Sequence, residues 1–496
     1  MKQHTVRLHP LGKTFKMNDQ TPLIDVLHEF GIEFPCGGKG TCGKCKVKLL
    51  SGEIETTPQH QQKLDELKLE SNWRLACMSR CTSDIILEVE QFSHLILADE
   101  TDFEFTPRKG FGVAVDLGTT TLVAQLIDLL TAQVLAVETQ VNPQVKYGAD
   151  LISRIQACLD GKALQMARSI RETVGKMILA MLAKHNVVLD QIILVGNTAM
   201  QRIFSQLDVA PLSQYPFEID NSSIQQYDLQ QLRWGFPCHG PVQFMPSIGS
   251  FVGSDILAGI AATKLHQNEK YTALIDLGTN GEIVIGNNQQ IVCASTAAGP
   301  AFEGANISMG MRAVTGAISS LELIDGEFKA TVIGNTTPKG ICGSALIDAI
   351  ALLRQQDKIG IFGEINSEEQ SVSISGKVLL TQKDIHEFQL AKAAIAAGLE
   401  ILSQELEIKV NDIDQIYIAG GFGSYINLEH VVSAGMIETE PEKIIKMGNT
   451  ALIGAKLFLY ENQQLTKEIL SKTRHINLEG NPNFQDIYIN KMIFPR

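Results

Sequence analysis

Residues Val113–Asp128 read VAVDLGTTTLVAQLID, and residues Ala273–Gly286 read ALIDLGTNGEIVIG. Each stretch ends an apolar run on a carboxylate, turns through a glycine and hydroxyl-bearing residues, and enters a second β-rich run. The spacing predicts two hairpins with similar tips. Asp116, Gly118, Thr119 and Thr120 make the first, and Asp276, Gly278, Thr279, Asn280 and Gly281 the second. Such a tip suits phosphate. Glycine lets backbone N–H groups approach an anion closely, and threonine hydroxyls add donors. A carboxylate at the strand end can hold Mg²⁺ through water, because that ion prefers oxygen ligands and keeps much of its hydration shell. Two such sentences in one chain point to an internal duplication. Two facing hairpins could clamp the β- and γ-phosphates of a nucleotide from opposite sides.

Further segments add candidate contacts. Gly253-Ser254-Asp255 opens a helix just before the second hairpin. An acid there complements the helix dipole, and Asp255 could also orient an attacking water. Lys339-Gly340-Ile341-Cys342-Gly343-Ser344 opens another helix and adds Gly343 and Ser344. Gln415–Tyr425 (QIYIAGGFGSY) reads as strand, glycine-rich turn and helix, and Gly420, Gly421 and Gly423 leave room for a flat adenosine. Ser295–Arg312 is rich in glycine and small residues, a composition that lets a chain approach a ligand or another backbone closely. Asn197 and Thr198, after the buried strand QIILV, either cap a helix or reach the site.

A second chemistry lies near the N-terminus. Cys36-x5-Cys42-x2-Cys45 is followed by Cys77 and Cys81. Three thiolates from one loop and one from a distant segment is the plan of plant-type ferredoxins, whose loop is C-x4-C-x2-C. The longer first gap here resembles the adrenal and bacterial 2Fe-2S ferredoxins. Gly37, Gly38, Gly40 and Gly43 let the loop wrap a cluster and aim N–H groups at its sulfurs. A structural zinc site usually presents two short C-x2-C knuckles, and only one is present. Cys77 and Cys81 compete as the fourth ligand; the likeness of RLACMSR to ferredoxins favours Cys77, leaving Cys81 a bystander. Cys158, Cys238, Cys293 and Cys342 are scattered and read as plain thiols.

The elements that must hold these residues follow from length and pattern. A chain of 496 residues is too long for one core. The expected organisation is a ferredoxin-type domain over 1–92, a linker over 93–110, a first lobe over 111–270 and a second over 271–496. In the first unit, Thr5–Leu8 and Thr14–Met17 read as paired strands, Pro22–Phe30 as a helix and Asp84–Glu90 as an alternating strand. Ala149–Leu159, Ala163–His185 and Gln389–Gln404 carry helical periodicity, and 205–245 reads as an irregular insert or lid. The net charge of −13 argues against a nucleic-acid binder and against an anionic membrane surface. No apolar run reaches the roughly 18 residues of a membrane span. The N-terminus MKQHTVRLHP lacks an apolar signal core. The expected location is the cytoplasm, where nine cysteines point to metal or redox use rather than disulfides.

Hairpin, second hairpin and adenosine glycines, in that order, resemble the acetate and sugar kinase, heat-shock chaperone and actin (ASKHA) superfamily. The resemblance implies an α/β protein of two RNase H-like lobes, closing on ATP like a hinge, joined here to a β-grasp 2Fe-2S ferredoxin domain. It implies that Asp116 and Asp276 are the Mg²⁺-associated acids and that Asp255 matches the catalytic acid of sugar kinases. A narrower resemblance covers nearly the whole chain. NPQVKYGADLISRI, VGNTAM, DLGTNGEI, TAAGPAFEGA, GICGSALIDA and QLAKAAI are similar to segments of the reductive activators of corrinoid proteins. That family implies ATP-dependent reduction of an inactive Co(II) corrinoid to Co(I). It implies a 2Fe-2S cluster, ATP and Mg²⁺ as cofactors, and as partners a low-potential electron donor and a corrinoid protein of a methyltransferase system or of the corrinoid iron–sulfur type, with a homodimer compatible. The segment joining ferredoxin to ATPase is shorter than in the activator of the acetogens' corrinoid iron–sulfur protein. Competing readings are an ATP-driven reductase of another acceptor, a small-molecule kinase with a ferredoxin sensor, and an actin-like scaffold.

Overall fold

The computed structural model describes the chain apart from residues 1, 10–12, 28–31, 33–37, 42, 44, 90–104, 149, 218, 220–222, 279, 305, 421–425, 462 and 496. The first unit is a five-stranded sheet of order β2-β1-β5-β3-β4. Its strands are β1 (Gln3–His9), β2 (Lys13–Asn18), β3 (Lys46–Ser51), β4 (Trp73–Leu75) and β5 (Ile85–Glu88). Alternation along β1 and β5 turns Val6, Leu8, Ile85 and Leu87 onto one core with Leu27, Val47 and Leu75. The helix expected over Pro22–Phe30 is only Ile24–Leu27 among the described residues. It starts late because the backbone before it pairs elsewhere: Cys81 N donates to Thr21 O and Leu23 N to Ser79 O, at 2.9 and 3.0 Å. Residues 28–31 lie outside the described residues.

Two six-stranded sheets follow, and they repeat one plan. In the first, β6 (Phe111–Leu117), β7 (Thr121–Asp128) and β8 (Val134–Val141) form an antiparallel meander. β9 (Gln191–Gly196) lies parallel to β6 on its other side. β10 (Gln225–Tyr227) and β11 (Val242–Phe244) complete the order β10-β11-β9-β6-β7-β8. In the second, β12 (Thr272–Leu277), β13 (Gly281–Gly286) and β14 (Ile291–Thr296) make the meander. A smaller sheet of β15 (Ala317–Ile324), β16 (Glu327–Val332) and β17 (Gly340–Ile341) and a pair, β18 (Ser371–Ser375) and β19 (Val378–Thr381), intervene. Then β20 (Gln415–Ala419) lies parallel to β12, flanked by β21 (Ile444–Gly448), while β22 (Thr473–His475) joins the far edge. The region 205–245, expected to be irregular, supplies β10 and β11 from its later residues, because the buried Val242 and Phe244 extend the first sheet beside β9.

Each sheet is covered by a long helix. Ala163–His185 sets Ile170, Val174 and Ile178 against Val113, Val115 and Leu122. Gln382–Glu405, longer than expected at its N-terminus, sets Ile395 and Leu399 against Ile283 and Ile285. Between the sheets run the helices Ser254–Ala262 and Thr450–Phe458. They share one core with Ala114, Ile193 and Val195 of the first sheet and Leu274, Val284 and Cys293 of the second. These two helices cross backbone to backbone, since a Cβ at Gly454 would fall 2.1 Å from the Ala258 carbonyl oxygen. The expected linker ends packed: Phe105 lies 5.0 Å from the Tyr460 ring, and Arg108 Nη2 donates to Leu459 O at 2.6 Å. No helix among the described residues is long and apolar enough to cross a membrane.

The crossing generates a prediction. Gly454→Val must push apart the helices that join the lobes, and overpacking of this kind costs about 1–3 kcal/mol. Thermal denaturation of the full chain should show a clear loss in Tm; an unchanged Tm would mean that the close approach is dispensable.

Candidate functional site

The two hairpins deliver their carboxylates to one place. Asp116 ends β6 and Asp276 ends β12, and Asp255 stands in the first turn of the Ser254–Ala262 helix. That helix start is fixed by the end of β9. Ser254 Oγ accepts from Gly196 N and donates to Gly196 O, each at 3.1 Å, and a Cβ at Gly253 would fall 2.4 Å from Asn197 Cα. A fourth acid joins them. Glu282, the cross-strand partner of Asp276, is buried on β13.

Burial raises all four groups, and acidic neighbours add to it at three of them. Burial pushes the Asp116 carboxyl up to about 6, partly offset by Asn449 Nδ2, which donates to its Oδ2 at 2.9 Å. Burial and then the charge of Asp116 push Asp276 up to about 7. Burial, then Asp276 and Asp116, push Asp255 up to about 8. Glu282 is held well above the usual carboxylate range by burial and then by Asp255 and Asp276, against a 3.2 Å hydrogen bond from Ser295 Oγ. Like charges gathered in a low-dielectric cleft favour either protonation or a cation. The donor set is all oxygen, which fits Mg²⁺.

Around the acids the hairpin tips are braced. A Cβ at Gly118 would meet the Thr121 carbonyl oxygen at 2.5 Å, so the tight first tip requires glycine. Asn197 both caps the Thr198–Ser205 helix, accepting from Met200 N at 3.0 Å, and donates from Nδ2 to Thr119 Oγ1 at 2.9 Å. The two roles posed for it as alternatives coexist. Asn142 donates from Nδ2 to Gly118 O at 2.8 Å and from its backbone N to Thr120 O at 2.9 Å. In the second tip Gly278 N donates to Asn280 O at 3.0 Å. Gly420 has φ +88°, and a Cβ there would fall 2.7 Å from Asp276 Oδ1, so this glycine abuts the second carboxylate. Gly281 faces inward, where a Cβ would meet Ile395 Cδ1 at 2.2 Å; the lobe core explains its missing side chain. Gly343 and Ser344 open the Gly343–Gln355 helix, and Ser344 Oγ donates to Ser319 O at 2.7 Å, tying that helix to β15. Thr279, Gly421 and Gly423 lie outside the described residues.

Two residues of this site escape a reading of the sequence. Glu282 follows the second D-L-G-T tip directly, and hairpin register alone would have set it opposite Asp276. Val123 takes that place opposite Asp116 in the first hairpin, so the duplicated motif hides the acid. Asn449 lies 333 positions from the carboxylate it contacts, and packing of the Thr450–Phe458 helix against β6 and β9 brings it there.

In the first unit Cys45 and Cys77 bring their sulfurs to 3.2 Å. Gly40 and Gly43 take φ of +72° and +67°, and a Cβ at either would run into Met78 or Leu67. The convergent sulfurs and tight glycine turns fit a cluster held by thiolates. Cys81 points into the core, its thiol 3.6 Å from Ser83 O and pushed up by burial and then by Asp19 and Asp84. Cys36 and Cys42 lie outside the described residues.

Fold and site define a class: a 2Fe-2S ferredoxin domain fused to an ASKHA nucleotide-binding domain. Residues 6–82 match the 2Fe-2S iron-sulfur cluster binding domain, 111–268 the RACo middle region, and 270–496 the C-terminal ASKHA domain of RACo. The corrinoid activation enzyme RamQ of Eubacterium limosum is 32% identical over 98% of both chains. The reductase of the Co(II) methylated amine-specific corrinoid protein of Methanosarcina barkeri is 25% identical over 77% of both. A solved reductive activator for corrinoid, iron-sulfur protein superposes with a TM-score of 0.69 at 26% identity, covering 99% of this chain and 98% of that one. The chain belongs to the RACo family of reductive activators.

The raised carboxyls generate a pH prediction. An acid whose folded pKa lies above its unfolded value of 3.8 keeps its proton in the native state after the unfolded chain has lost it. Stability of the metal-free protein therefore falls as pH rises from about 4 through about 8. Asp255→Asn should flatten that slope and raise Tm at pH 8 by ~2 °C. Melting curves parallel to those of the unsubstituted protein at every pH would contradict the assignment.

Proposed function

We propose that the protein is an ATP-dependent reductive activator that returns an inactive Co(II) corrinoid protein to Co(I). The observation that carries this reading is the joining of a ferredoxin unit, whose Cys45 and Cys77 sulfurs converge, to a cleft where Asp116, Asp255, Asp276 and Glu282 face one another. A 2Fe-2S cluster, when bound, supplies one-electron transfer; Cys36, Cys42, Cys45 and Cys77 are its proposed ligands. The electron comes from a low-potential donor and leaves on the cobalt of the partner.

In the cleft, Asp116 and Asp276 would hold Mg²⁺ when it is bound, Asn449 orients the Asp116 carboxylate, and Ser295 orients Glu282. The tips at Gly118–Thr120 and Gly278–Gly281 grip the phosphates of ATP through backbone N–H and hydroxyl donors, and Gly420, Gly421 and Gly423 give the adenosine its space. Asp255, raised to about 8 by burial and then by its acidic neighbours, accepts the proton of the attacking water. No phosphoryl group reaches a substrate. ATP instead biases closure of two lobes hinged on the Ser254–Ala262 and Thr450–Phe458 helices. An activator that grips the Co(II) protein in one nucleotide state and releases it in the other can offset an uphill reduction. The proposed setting is the cytoplasm, with a corrinoid protein of a methyltransferase system or of the corrinoid iron–sulfur type as the partner; a homodimer is compatible with it.

This reading predicts slow basal ATP hydrolysis that a Co(II) corrinoid partner accelerates. Equal rates with and without partner would count heavily against it. Asp276→Ala should abolish turnover while leaving the visible cluster spectrum intact, whereas a bleached spectrum would assign Asp276 to the fold instead.

A further inference from the structure

The segment Asn142–Gly148 touches both ends of the proposed machinery. At its start, the buried Asn142 holds the first hairpin through Gly118 O and Thr120 O, and its own Oδ1 accepts from Gln144 N at 2.9 Å. Asn142 thereby caps a short 3₁₀ helix, Pro143–Tyr147, whose proline starts it with a preset φ. Gln144 and Val145 are buried, and Gln144 Nε2 donates to Met166 O at 3.3 Å. At its end Gly148 is clamped. Arg154 Nε donates to Gly148 O at 3.0 Å, and a Cβ at Gly148 would fall 2.3 Å from Ser153 Cβ. The piece is thus capped at one end, buried in the middle and clamped at the other.

The far end of this piece meets the ferredoxin unit. A Cβ at Gly38, which lies between Cys36 and Cys42 in the sequence, would stand 4.0 Å from Lys146 O. The neighbouring Tyr147 hydroxyl is raised by burial and then by the charge of Asp25, which projects from the Ile24–Leu27 turn. Lys146 Nζ lies 5.3 Å from the Tyr147 ring, which adds a cation beside that aromatic face. A 3₁₀ helix rises about 2 Å per residue, so five residues carry a shift at the hairpin roughly 10 Å toward the cluster loop.

We propose that Asn142–Gly148 is a relay: the nucleotide state of the first hairpin sets how the cluster-bearing loop docks on Lys146 and Tyr147. The relay rests on the nucleotide reading of the hairpins. Tyr147 and Lys146 act as positioning residues, aligning the ferredoxin unit without touching nucleotide or cluster.

Hydrogen exchange of the cluster-loaded full chain, with and without Mg²⁺ and a non-hydrolysable ATP analogue, tests it. Nucleotide should slow exchange at 116–121 and 276–282 and also change exchange at 23–41. Tyr147→Ala should lose the second change and keep the first. Should Tyr147→Ala fold poorly, Asp25→Ala, at an exposed position on the ferredoxin side, must show the same loss. Protection at the hairpins with no change at 23–41 in the unsubstituted protein would overturn the relay alone. A change at 23–41 that survives both substitutions would overturn the docking contact. No protection at the hairpins would overturn the nucleotide reading and the relay with it.

Discussion

Four carboxylates facing one another, Glu282 buried and Asp116, Asp255 and Asp276 half-buried, are the constraint on which the ASKHA part of this molecule turns. Burial raises all four, and the charge of neighbouring acids adds to it at Asp255, Asp276 and Glu282, so the cleft favours protonation or a cation. They are positioned by the ends of strands β6 and β12, by a helix start bonded to Gly196, and by Asn449 reaching in from the second lobe. In the proposed reading the same arrangement gives a cation and a polyphosphate somewhere to bind.

The hinge is built from the opposite material. The helices Ser254–Ala262 and Thr450–Phe458 are nearly all apolar or small, and they pack the inner faces of both sheets into a single core. Asp255 begins one of them and Asn449 caps the other. In the proposed reading, rotation of one lobe on the other alters the acid cluster directly, and a nucleotide biases closure by that route. The ferredoxin unit, with its own separate core, can be carried as a body by whatever surface it docks on.

Much of this was legible in the sequence where local pattern carries the information. The apolar runs ending at Asp116 and Asp276 are strands because β-rich residues buried on both faces read as continuous hydrophobic stretches. The breaker-poor run Ala163–His185 is one helix as expected. What was hidden depends on tertiary closure or competing pairing. Asn449 meets Asp116 only across the lobes; Glu282 required register rather than motif. The helix near Pro22 is curtailed by backbone bonds to residues 79 and 81, and Val242 and Phe244 join a sheet that their polar surroundings do not advertise. The corner after Ala157 is another case: Gly161, at φ 84°, turns the chain through a π-type stretch, Cys158–Lys162, into the long helix.

The central claim is that ATP drives the electron onto cobalt. The direct measurement is anaerobic visible spectroscopy of a candidate corrinoid protein in its Co(II) form, mixed with this protein, a low-potential reductant and Mg²⁺-ATP, beside an ATP-free control. The account predicts growth of the Co(I) band only where ATP is present. Co(I) forming at the same rate without ATP would contradict it, as would no Co(I) with any corrinoid protein despite an intact 2Fe-2S spectrum.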